Sequence, residues 1–542
     1  MKFKIFNLKF LFLFLVLVLA AVLRLWNLGE YPAGFNADEA AIGYNAYSIL
    51  QTGKDEYGTF YPLAFKSFGD YKPGLYFYFV MPFVATLGLN EIAVRLPSAL
   101  FGILTVLLAY LLAKKIFEDD RVGLLSALLL TISPWHLQFS RGGWESNAAT
   151  FFITLGVFLW LKGLAKPIFI FWSLCSFLIS MYLYQSPRLI VPLFLLSGVI
   201  LHKDLLFREI KKLVIFIMIV CILSIPLILQ FTSGEGGARF RGLSFFSDKG
   251  PLSRIDELRG EHGNLNDKAA KILHNKITAY APNFLGHYLD HFSTQFLFIN
   301  GEEVIRNKVP ETGEFYLIEA FFLIIGIFYL IRSKFKHTRL LILWILISPI
   351  ASSMTFQTPN ALRSLSMVVP MTIVMGYGLS KIFNILSKNF RDLLLTGCFL
   401  LLIFEFIHYL ESYYVHYPKR YPLAWEYGFE EMVSKLEKYQ DQYEKVVITD
   451  RYDQPYILVL FYGKYNPAEY QPQAVLTSRD QFNFGTIRSF DKYEFHKIEP
   501  NEIKNTKDTL FIGTDKEMPK NAEIIDQVDF PNGKPAFIFF KT

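Results

Sequence analysis

The chain has 542 residues, of which 52% are hydrophobic, 17% aromatic and 19% charged. Soluble proteins carry about 25% charged residues, and the deficit here lies in long apolar stretches, which excludes an ordinary soluble protein. The net charge of +6 is modest, and no basic stripe alternates with aromatic residues, so nucleic acid is not expected as a partner.

The N-terminal segment joins a basic start, 1–9, to an apolar run, 10–25. The run is longer than a signal-peptide core, and no small-x-small cleavage site follows it before Leu28. The segment therefore predicts an uncleaved membrane-spanning helix with a cytoplasmic N-terminus.

Ten further apolar stretches follow, and most have the ~20 residues that cross a bilayer. Clusters of Lys and Arg all fall on the cytoplasmic side if about eleven helices span the membrane. The shorter run 74–89, which contains Pro82, is then predicted to lie at the membrane interface. The predicted spans are 8–26, 95–116, 121–138, 148–165, 168–184, 189–202, 213–231, 315–332, 339–356, 366–385 and 393–412.

The same alternation places two long loops, 27–94 and 232–314, outside the cytoplasm together with the C-terminus. Residues after 412 read as a helix, 429–443, followed by strands near 445–449, 509–512 and 536–540. The predicted fold class is a polytopic all-α membrane protein with a small C-terminal extracytoplasmic α/β domain. The predicted domains are 1–412 and 413–542.

The first external loop contains residues suited to chemistry at the membrane surface. Asp38 and Glu39 begin a predicted helix, whose dipole favours negative charge. An ordinary helix cap explains one acid better than two. Lys72 precedes a Pro-Gly turn, where an ammonium group can hold a phosphate. A lysine that extends along the membrane surface to water is the alternative.

The next external loop places Arg141 and Glu145 four residues apart around a Gly-Gly pair. A simple helical ion pair is one interpretation, and a turn that leaves both side chains facing a cavity is the other. Other polar residues of the predicted external loops are Asp70, Tyr71, Tyr184, Arg188, Asp290, His291 and Arg363.

These groups come from separate loops on one face of the membrane. If they converge, they suit a substrate with an anionic head and a lipid tail. One carboxylate would deprotonate an acceptor hydroxyl, and the cations would neutralise a departing phosphate. No glycine-rich nucleotide loop is present, so the energy of transfer would be stored in a lipid-linked donor.

A metal centre is not predicted. His287 and His291 share a helix face with Asp290 between them, which is a ligand spacing, but packed or solvent-facing histidines explain the pattern better. The three cysteines lie inside apolar runs, which indicates small buried residues.

The chain resembles the GT-C glycosyltransferases that use polyprenyl-phosphate sugars. Protein O-mannosyltransferases and the bacterial transferases that add aminoarabinose to lipid A are the most similar groups. The resemblance covers residues 1 to about 415. It rests on Asp38-Glu39, Lys72-Pro73, the segment Arg95-Leu96-Pro97-Ser98-Ala99, and Ser140-Arg141 with Glu145.

The resemblance implies roles for these residues. Asp38 is implied as the catalytic base, with Glu39 beside it, and Lys72 as a contact of the donor phosphate. Arg141 and Glu145 would complete the site. Arg188 and Arg363 would help to hold the phosphate, and Asp70, Tyr71, Tyr184, Asp290 and His291 would contact substrate. The reaction would invert the sugar linkage and require no metal.

The chain departs from the pattern at two positions: Gly74 stands where many relatives have a second proline, and Glu145 where many have Asp. The segment 288–298 resembles a prokaryotic branch, which implies a prokaryotic plasma membrane. The expected partners are a polyprenyl-phosphate sugar, a protein, lipid or glycan acceptor, and membrane lipids. A transporter or lipid-linked sugar flippase is the main alternative, although the predicted helices carry few charges near the midplane.

Overall fold

The computed structural model describes residues 2–206, 209–232, 250–263, 267–335, 337–385, 387–478, 485–505 and 508–541. The chain forms two compact units. The first unit contains Met1–Leu17, Thr105–His136 and Ala149–Phe406. The second unit contains Val18–Leu104, Leu137–Ala148 and Ile407–Thr542. The predicted external loop 232–314 lies partly outside the described residues, at 233–249 and 264–266.

Every predicted apolar span is helical, which confirms the helical character inferred from hydrophobic runs. Two of the predicted spans are interrupted, at Ser133 and near Pro349. The helices are Lys2–Leu25, Glu91–Phe117, Asp120–Ile132, Pro134–Arg141, Glu145–Gly163, Ile168–Leu183, Pro187–Leu206, Ile210–Thr232, Leu317–Ile331, Thr338–Ile347, Ile350–Ser353, Val368–Ile385 and Lys388–Glu411.

Several of these helices have the length and composition needed to cross a bilayer. In the described part of the chain there are 5 such helices, or 6 if Asp120–Ile132 and Pro134–Arg141, bent by 59°, form one span. Further apolar helices have only 10–17 residues. The chain is thus a multi-pass membrane protein, whereas the number of about eleven spans stays a prediction.

The segment predicted to lie at the interface forms the helix Leu75–Leu87, with Pro82 inside it. Its 13 residues rise about 20 Å, less than the ~30 Å of hydrocarbon. A helix of this length does not cross a bilayer alone, and its interfacial placement stays a prediction.

In the first unit, helices Leu317–Ile331 and Val368–Ile385 approach closely at two glycines. A Cβ atom on Gly326 would lie 2.1 Å from the carbonyl oxygen of Val374, and one on Gly378 would lie 2.1 Å from that of Phe322. Glycine lets the backbones of membrane helices meet, and the helices gain dispersion contacts that a larger residue would prevent.

This packing predicts that Gly326→Ala or Gly378→Ala destabilises the protein by about 1–3 kcal/mol, because the methyl group meets backbone rather than a movable side chain. Gly397→Ala is the matched control, since a Cβ atom there has no neighbour within 4 Å. Thermal unfolding in detergent measures the difference. Equal midpoints for all three variants would contradict the close packing.

The C-terminal part of the second unit contains a mixed sheet of six strands. The central strand Lys445–Ile448 pairs in parallel with Tyr493–Phe495 and Thr509–Gly513, and the remaining pairs are antiparallel. Phe511 and Phe540 belong to the buried apolar core that this sheet supports. The strands across the sheet are Ser489–Phe490, Tyr493–Phe495, Lys445–Ile448, Thr509–Gly513, Pro535–Lys541 and Glu523–Asp529.

The same C-terminal part of the chain contains two helices, Phe429–Tyr439 and Pro455–Tyr462. The second of them packs against helix Ala37–Thr52 of the first loop, where a Cβ atom on Gly43 would lie 2.5 Å from the Phe461 ring. The C-terminal residues and the first loop therefore belong to one compact unit. This division differs from the predicted boundary at 412/413, because side-chain packing joins parts that are distant in sequence.

Candidate active site

The helix Ala37–Thr52, which we call the acidic helix, begins at the cap residue Asn36. The Asn36 side chain accepts a hydrogen bond from the Glu39 amide at 3.1 Å, which satisfies one of the free N–H groups of the first turn. Asp38 and Glu39 both lie in that turn, where the helix dipole favours carboxylates. Consecutive residues point about 100° apart on a helix, so the two acids have different surroundings.

Glu39 is buried and its two carboxylate oxygens accept four hydrogen bonds. Arg95 donates from Nε to Oε1 at 3.0 Å and from Nη2 to Oε2 at 3.1 Å. The Gly143 amide donates to Oε1 at 2.7 Å, and the Asn36 side chain donates to Oε2 at 3.0 Å. Glu39 therefore joins the acidic helix to two other segments of the second unit. The catalytic role predicted for Glu39 stays a prediction.

Arg95 is fully buried in helix Glu91–Phe117. Its guanidinium nitrogens also donate hydrogen bonds to backbone carbonyls of the loop before the acidic helix. The guanidinium lies 5.7 Å from the ring centre of Trp425. A buried cation is tolerated only when its hydrogen bonds are satisfied. The backbone carbonyls that accept from Arg95 belong to Leu28, Gly29, Pro32 and Gly34.

Asp38, by contrast, pairs with a lysine and keeps about a third of its side chain exposed. Lys72 is almost fully buried, and its ammonium group donates to Asp38 Oδ1. Lys72 lies on a hairpin of strands Ala64–Ser67 and Asp70–Pro73, opposite Phe65. The structure thus brings together the two residues that the sequence predicts as base and phosphate contact.

We call these two strands and the turn between them the Lys72 hairpin. Both central residues of the turn have left-handed backbone conformation. Phe68 has φ 52° and Gly69 has φ 80°, which suits a tight two-residue turn. Asp70 and Tyr71 follow the turn, and the Tyr71 amide donates to Asp70 Oδ1 at 2.8 Å. Both side chains are half-buried, and their predicted contact with substrate stays a prediction.

A second buried carboxylate, Glu56, lies near the hairpin. Its Oε1 accepts from the Asn45 side chain at 2.9 Å, and the hydroxyl of Tyr456 donates to Oε2 at 3.4 Å. The Tyr57 hydroxyl lies 3.3 Å from that of Tyr456. Burial raises the pKa of Glu56 to about 8, and the charge of Lys72 acts in the opposite direction.

Arg141 ends helix Pro134–Arg141 and is buried. Its guanidinium donates to the carbonyls of Leu23 at 2.6 Å and Trp26 at 2.7 Å, and to the Tyr413 hydroxyl at 3.1 Å. Glu145 begins the next helix and is 8% exposed. The donor-phosphate role of Arg141 and the catalytic role of Glu145 stay predictions.

In the first unit, Arg363 lies at the end of the loop 354–363. It donates from Nη1 to the Thr355 hydroxyl at 2.7 Å. The same loop is fixed by Glu302, whose oxygens accept from the Asn360 side chain at 2.6 Å and the Ala361 amide at 2.7 Å. Burial raises the pKa of Glu302 to about 7. Glu302 is therefore the residue that shapes the loop bearing Arg363.

His291, next to Asp290 at the end of helix Lys276–Asp290, is buried. Its Nε2 lies 2.8 Å from the Ser352 hydroxyl and accepts from the Asn360 amide at 3.2 Å. Burial lowers the pKa of His291 to about 4, so the ring is neutral at physiological pH. These contacts give His291 a role in holding the loop, while its predicted contact with substrate is untested.

Arg188 and Tyr184 also lie in the first unit. Arg188 donates to the Met181 carbonyl at 3.1 Å and to the Gln230 side chain at 3.0 Å. Tyr184 caps helix Ile168–Leu183, with its amide bonded to the Ser180 carbonyl. Their predicted contacts with the donor stay predictions.

One group of described residues has the geometry of a metal site. Glu494, His496 and Glu502 place ligand atoms within 4.8 Å of one another. Glu494 also pairs with Lys445 at 2.8 Å, and a lysine beside a carboxylate competes with a cation. The prediction that no metal is required stays a prediction.

Three buried charged residues, Arg95, Glu56 and Glu302, were not among the predicted site residues. Arg95 had a signal, because an arginine in an apolar helix needs a buried partner. Glu56 and Glu302 stand in polar loops, where nothing local distinguishes a buried acid from an exposed one.

Comparison with known proteins gives one family-model match over part of the chain and several solved structures of similar fold. Residues 14–228, less than half of the chain, match the family model described as dolichyl-phosphate-mannose-protein mannosyltransferase. This match agrees with the resemblance to polyprenyl-phosphate-dependent glycosyltransferases that the sequence indicates.

Among solved structures, the chain is similar in fold to ArnT from Cupriavidus metallidurans. The crystal structure of ArnT bound to undecaprenyl phosphate is 10% identical, with a TM-score of 0.55 over 98% of this chain and 98% of ArnT. The apo structure is 10% identical, with a TM-score of 0.56 over 99% and 98%. At this identity the likeness establishes the fold.

A relative from Aquifex aeolicus (strain VF5), described as an uncharacterized protein, is 33% identical over 159 residues. The matched segment is 29% of this chain and 31% of the relative, so it spans about a third of that protein's length.

The different surroundings of the two adjacent acids predict different effects on stability. Glu39→Gln leaves Arg95 buried without its counter-charge, which costs about 3–5 kcal/mol. Asp38→Asn keeps an amide oxygen that can still accept from Lys72, at a position that is about a third exposed, so it costs less, about 1–2 kcal/mol. Thermal unfolding of the two variants in detergent measures the contrast. Equal loss of stability would contradict the assignment of Glu39 as the buried anchor.

Proposed function

We propose that this protein is an integral membrane glycosyltransferase that moves a sugar from a polyprenyl-phosphate carrier to an acceptor hydroxyl with inversion. The observation that carries the proposal is the pairing of the partly exposed Asp38 carboxylate with the buried Lys72 ammonium group. A carboxylate that water reaches can accept a proton. A buried cation attracts an anion more strongly than an exposed one, because the dielectric constant around it is lower. The fold shared with ArnT, which has been crystallised with undecaprenyl phosphate, supports the same donor class.

In the proposed reaction, the acceptor hydroxyl oxygen attacks the anomeric carbon of the donor sugar. A new carbon–oxygen bond forms as the bond from that carbon to the phosphate oxygen breaks, and the lipid phosphate leaves with the electron pair. Asp38 takes the hydroxyl proton. Lys72 stabilises the charge that develops on the leaving phosphate, so no protonation of the leaving group is needed.

The same pair provides a way to keep the base inactive until the donor binds. Without donor, the charges of Asp38 and Lys72 satisfy each other. A donor phosphate near Lys72 competes for the same ammonium protons, which form strong charge-assisted hydrogen bonds with phosphate oxygens. Asp38 is then released to accept the acceptor proton. We therefore propose that donor binds before proton transfer.

We further propose that Glu39 and Arg141 hold the backbone around the site rather than contact the sugar, since their polar atoms are used by Arg95 and by backbone carbonyls. Glu145 remains a candidate catalytic residue. For the first unit, Arg363 is the candidate phosphate contact, with Arg188, Tyr184, Asp290 and His291 as candidate supporting residues. No resident metal is needed, because Lys72 supplies positive charge at the phosphate.

The test incubates the purified protein with a panel of polyprenyl-phosphate sugars and a hydroxyl acceptor. Turnover is measured as the release of lipid phosphate. We expect Asp38→Asn to lower kcat by about 10²–10⁴-fold, with the fold retained. Lys72→Ala should lower kcat and raise the donor KM by about tenfold or more, because the phosphate loses a charged partner.

Matched controls lie on the same segments. Glu30→Gln removes an exposed acid of the first loop, and Lys66→Ala removes a lysine from the neighbouring strand of the Lys72 hairpin. Both should turn over like wild type. Normal kcat in Asp38→Asn would remove the base assignment. Movement of intact lipid-linked sugar across vesicles without phosphate release would favour a flippase instead.

Orientation in the membrane is a separate part of the proposal. The Lys and Arg clusters between the predicted spans place the N-terminus in the cytoplasm and the C-terminal sheet outside, at a prokaryotic plasma membrane. A periplasm-active phosphatase reporter fused after Lys541 should therefore be active. A cytoplasm-active reporter at the same position should be silent, and the reverse pattern would overturn the predicted orientation.

A further inference from the structure

The apex of the Lys72 hairpin is held in a conformation that its residue type disfavours. Phe68 has φ 52°, in the left-handed region, although it is neither Gly nor Asn. Its side chain is only 5% exposed. A bulky residue persists in this region only when surrounding contacts fix it, and such residues concentrate at functional sites.

The contacts that fix Phe68 come from the C-terminal part of the second unit. The Gly485 amide donates to the Phe68 carbonyl at 2.9 Å. The ring of Tyr456 lies edge-on to the Phe68 ring, with 6.2 Å between ring centres. On the other side, the Lys72 ammonium lies 5.6 Å from the centre of the same Phe68 ring. The lysine thus lies against an aromatic ring that C-terminal residues hold in place.

Tyr456 also anchors the buried Glu56. Its hydroxyl donates to Glu56 Oε2 at 3.4 Å, while Asn45 of the acidic helix donates to Oε1 at 2.9 Å and accepts from the Glu56 amide at 2.9 Å. Glu56 has no exposed surface. Asn45 and Asp38 lie on the same helix, so one network joins the C-terminal part, the acidic helix and the Lys72 hairpin.

Glu56 is the buried ionisable group that this network keeps close to Lys72. Burial raises its pKa to about 8, so that Glu56 is neutral at pH 7, and the positive charge of Lys72 acts on it in the opposite direction. The neighbouring acid Asp55 acts in the same direction as burial. The other titratable groups that Glu56 influences are tyrosines with pKa values raised by burial: Tyr44, Tyr57, Tyr456 and Tyr470.

We propose that Glu56, Tyr456 and Phe68 form a clamp through which the C-terminal part of the chain positions Lys72 for the donor phosphate. The proposal rests on the function proposed above and extends it. These three are positioning residues, because each acts through Lys72. The C-terminal part of the chain is then required for use of the lipid-linked donor.

The charges of Asp38, Lys72 and Glu56 predict a measurable pH dependence of the donor KM. With neutral Glu56, the charges of Asp38 and Lys72 cancel, and a donor phosphate meets a neutral site. Above about pH 8 Glu56 ionises, and the site gains a negative charge that repels phosphate and attracts Lys72. The donor KM of the wild-type protein should therefore rise above pH 8. The phosphodiester of the donor does not titrate in this range.

The first experiment compares two tyrosine variants of the full chain. Tyr456→Phe keeps the ring against Phe68 and removes the hydroxyl bonded to Glu56. Tyr452→Phe is the matched control, since its hydroxyl donates to the Ala536 carbonyl within the C-terminal sheet. We expect Tyr456→Phe to raise the donor KM about fivefold with little change in kcat, and Tyr452→Phe to leave the donor KM unchanged. Equal effects of the two variants would overturn the clamp.

The second experiment measures the donor KM from pH 6 to pH 9.5. Glu56→Gln keeps the acceptor for Asn45 and cannot ionise, so its donor KM should stay level where that of the wild type rises. This result would not follow from a purely structural role of Glu56. A rise of the same size in Glu56→Gln would overturn the proposal.

The Lys72→Ala variant distinguishes a failure of the proposed phosphate contact from a failure of the clamp alone. If Lys72→Ala leaves the donor KM unchanged, the phosphate contact in the proposed function is wrong, and the clamp fails with it. If Lys72→Ala raises the donor KM while Tyr456→Phe and Glu56→Gln behave like wild type, the function stands and only the clamp is overturned.

Discussion

The ion pair of Glu39 and Arg95 is the interaction on which the candidate site depends. Both side chains are buried, and they meet through two nitrogen–oxygen contacts of 3.0 and 3.1 Å. Arg95 also collects the carbonyls of the loop that precedes the acidic helix. A buried pair of this kind stabilises mainly when every polar atom is satisfied. Here the hydrogen bonds fix where the acidic helix begins, and therefore where Asp38 lies.

Adjacent acids thus divide two tasks that one residue could not perform together. Glu39 has its oxygens saturated, which suits an anchor and leaves little capacity to take a proton. Asp38 keeps exposed surface and forms an ion pair with Lys72. The hairpin that presents Lys72 is in turn packed against the C-terminal part of the chain. The base and the cation are positioned by two separate sets of contacts, so a change in either one alters their pairing.

Much of this arrangement could be predicted from the sequence. Each hydrophobic run that was predicted to span the membrane is helical in the described part of the chain, because burial in lipid or protein requires apolar residues over a helical length. The helix that carries Asp38 also follows from a local signal, namely two acids at a helix start. These features depend on residues close in sequence or on composition.

Other features depend on contacts between distant segments, and no local pattern encodes them. The sequence separated residues after 412 as a domain, whereas Gly43 meets Phe461 and Gly485 bonds to Phe68 within one compact unit. Glu56 and Glu302 resemble ordinary loop acids until tertiary packing buries them. The sequence left open whether Arg141 pairs with Glu145 or faces a cavity, and in the structure its guanidinium contacts the backbone carbonyls of Leu23 and Trp26. The Gly-Gly pair beside Arg141 indicated a flexible turn, but tertiary hydrogen bonds hold the Arg141 side chain in place.

A structure of the protein with bound polyprenyl phosphate tests the central claim most directly. The account predicts that the Lys72 ammonium lies about 2.7–2.9 Å from a phosphate oxygen, and that the Asp38 carboxylate has separated from Lys72 and faces an open cavity. A phosphate bound elsewhere, with the pair of Asp38 and Lys72 unchanged, would contradict it.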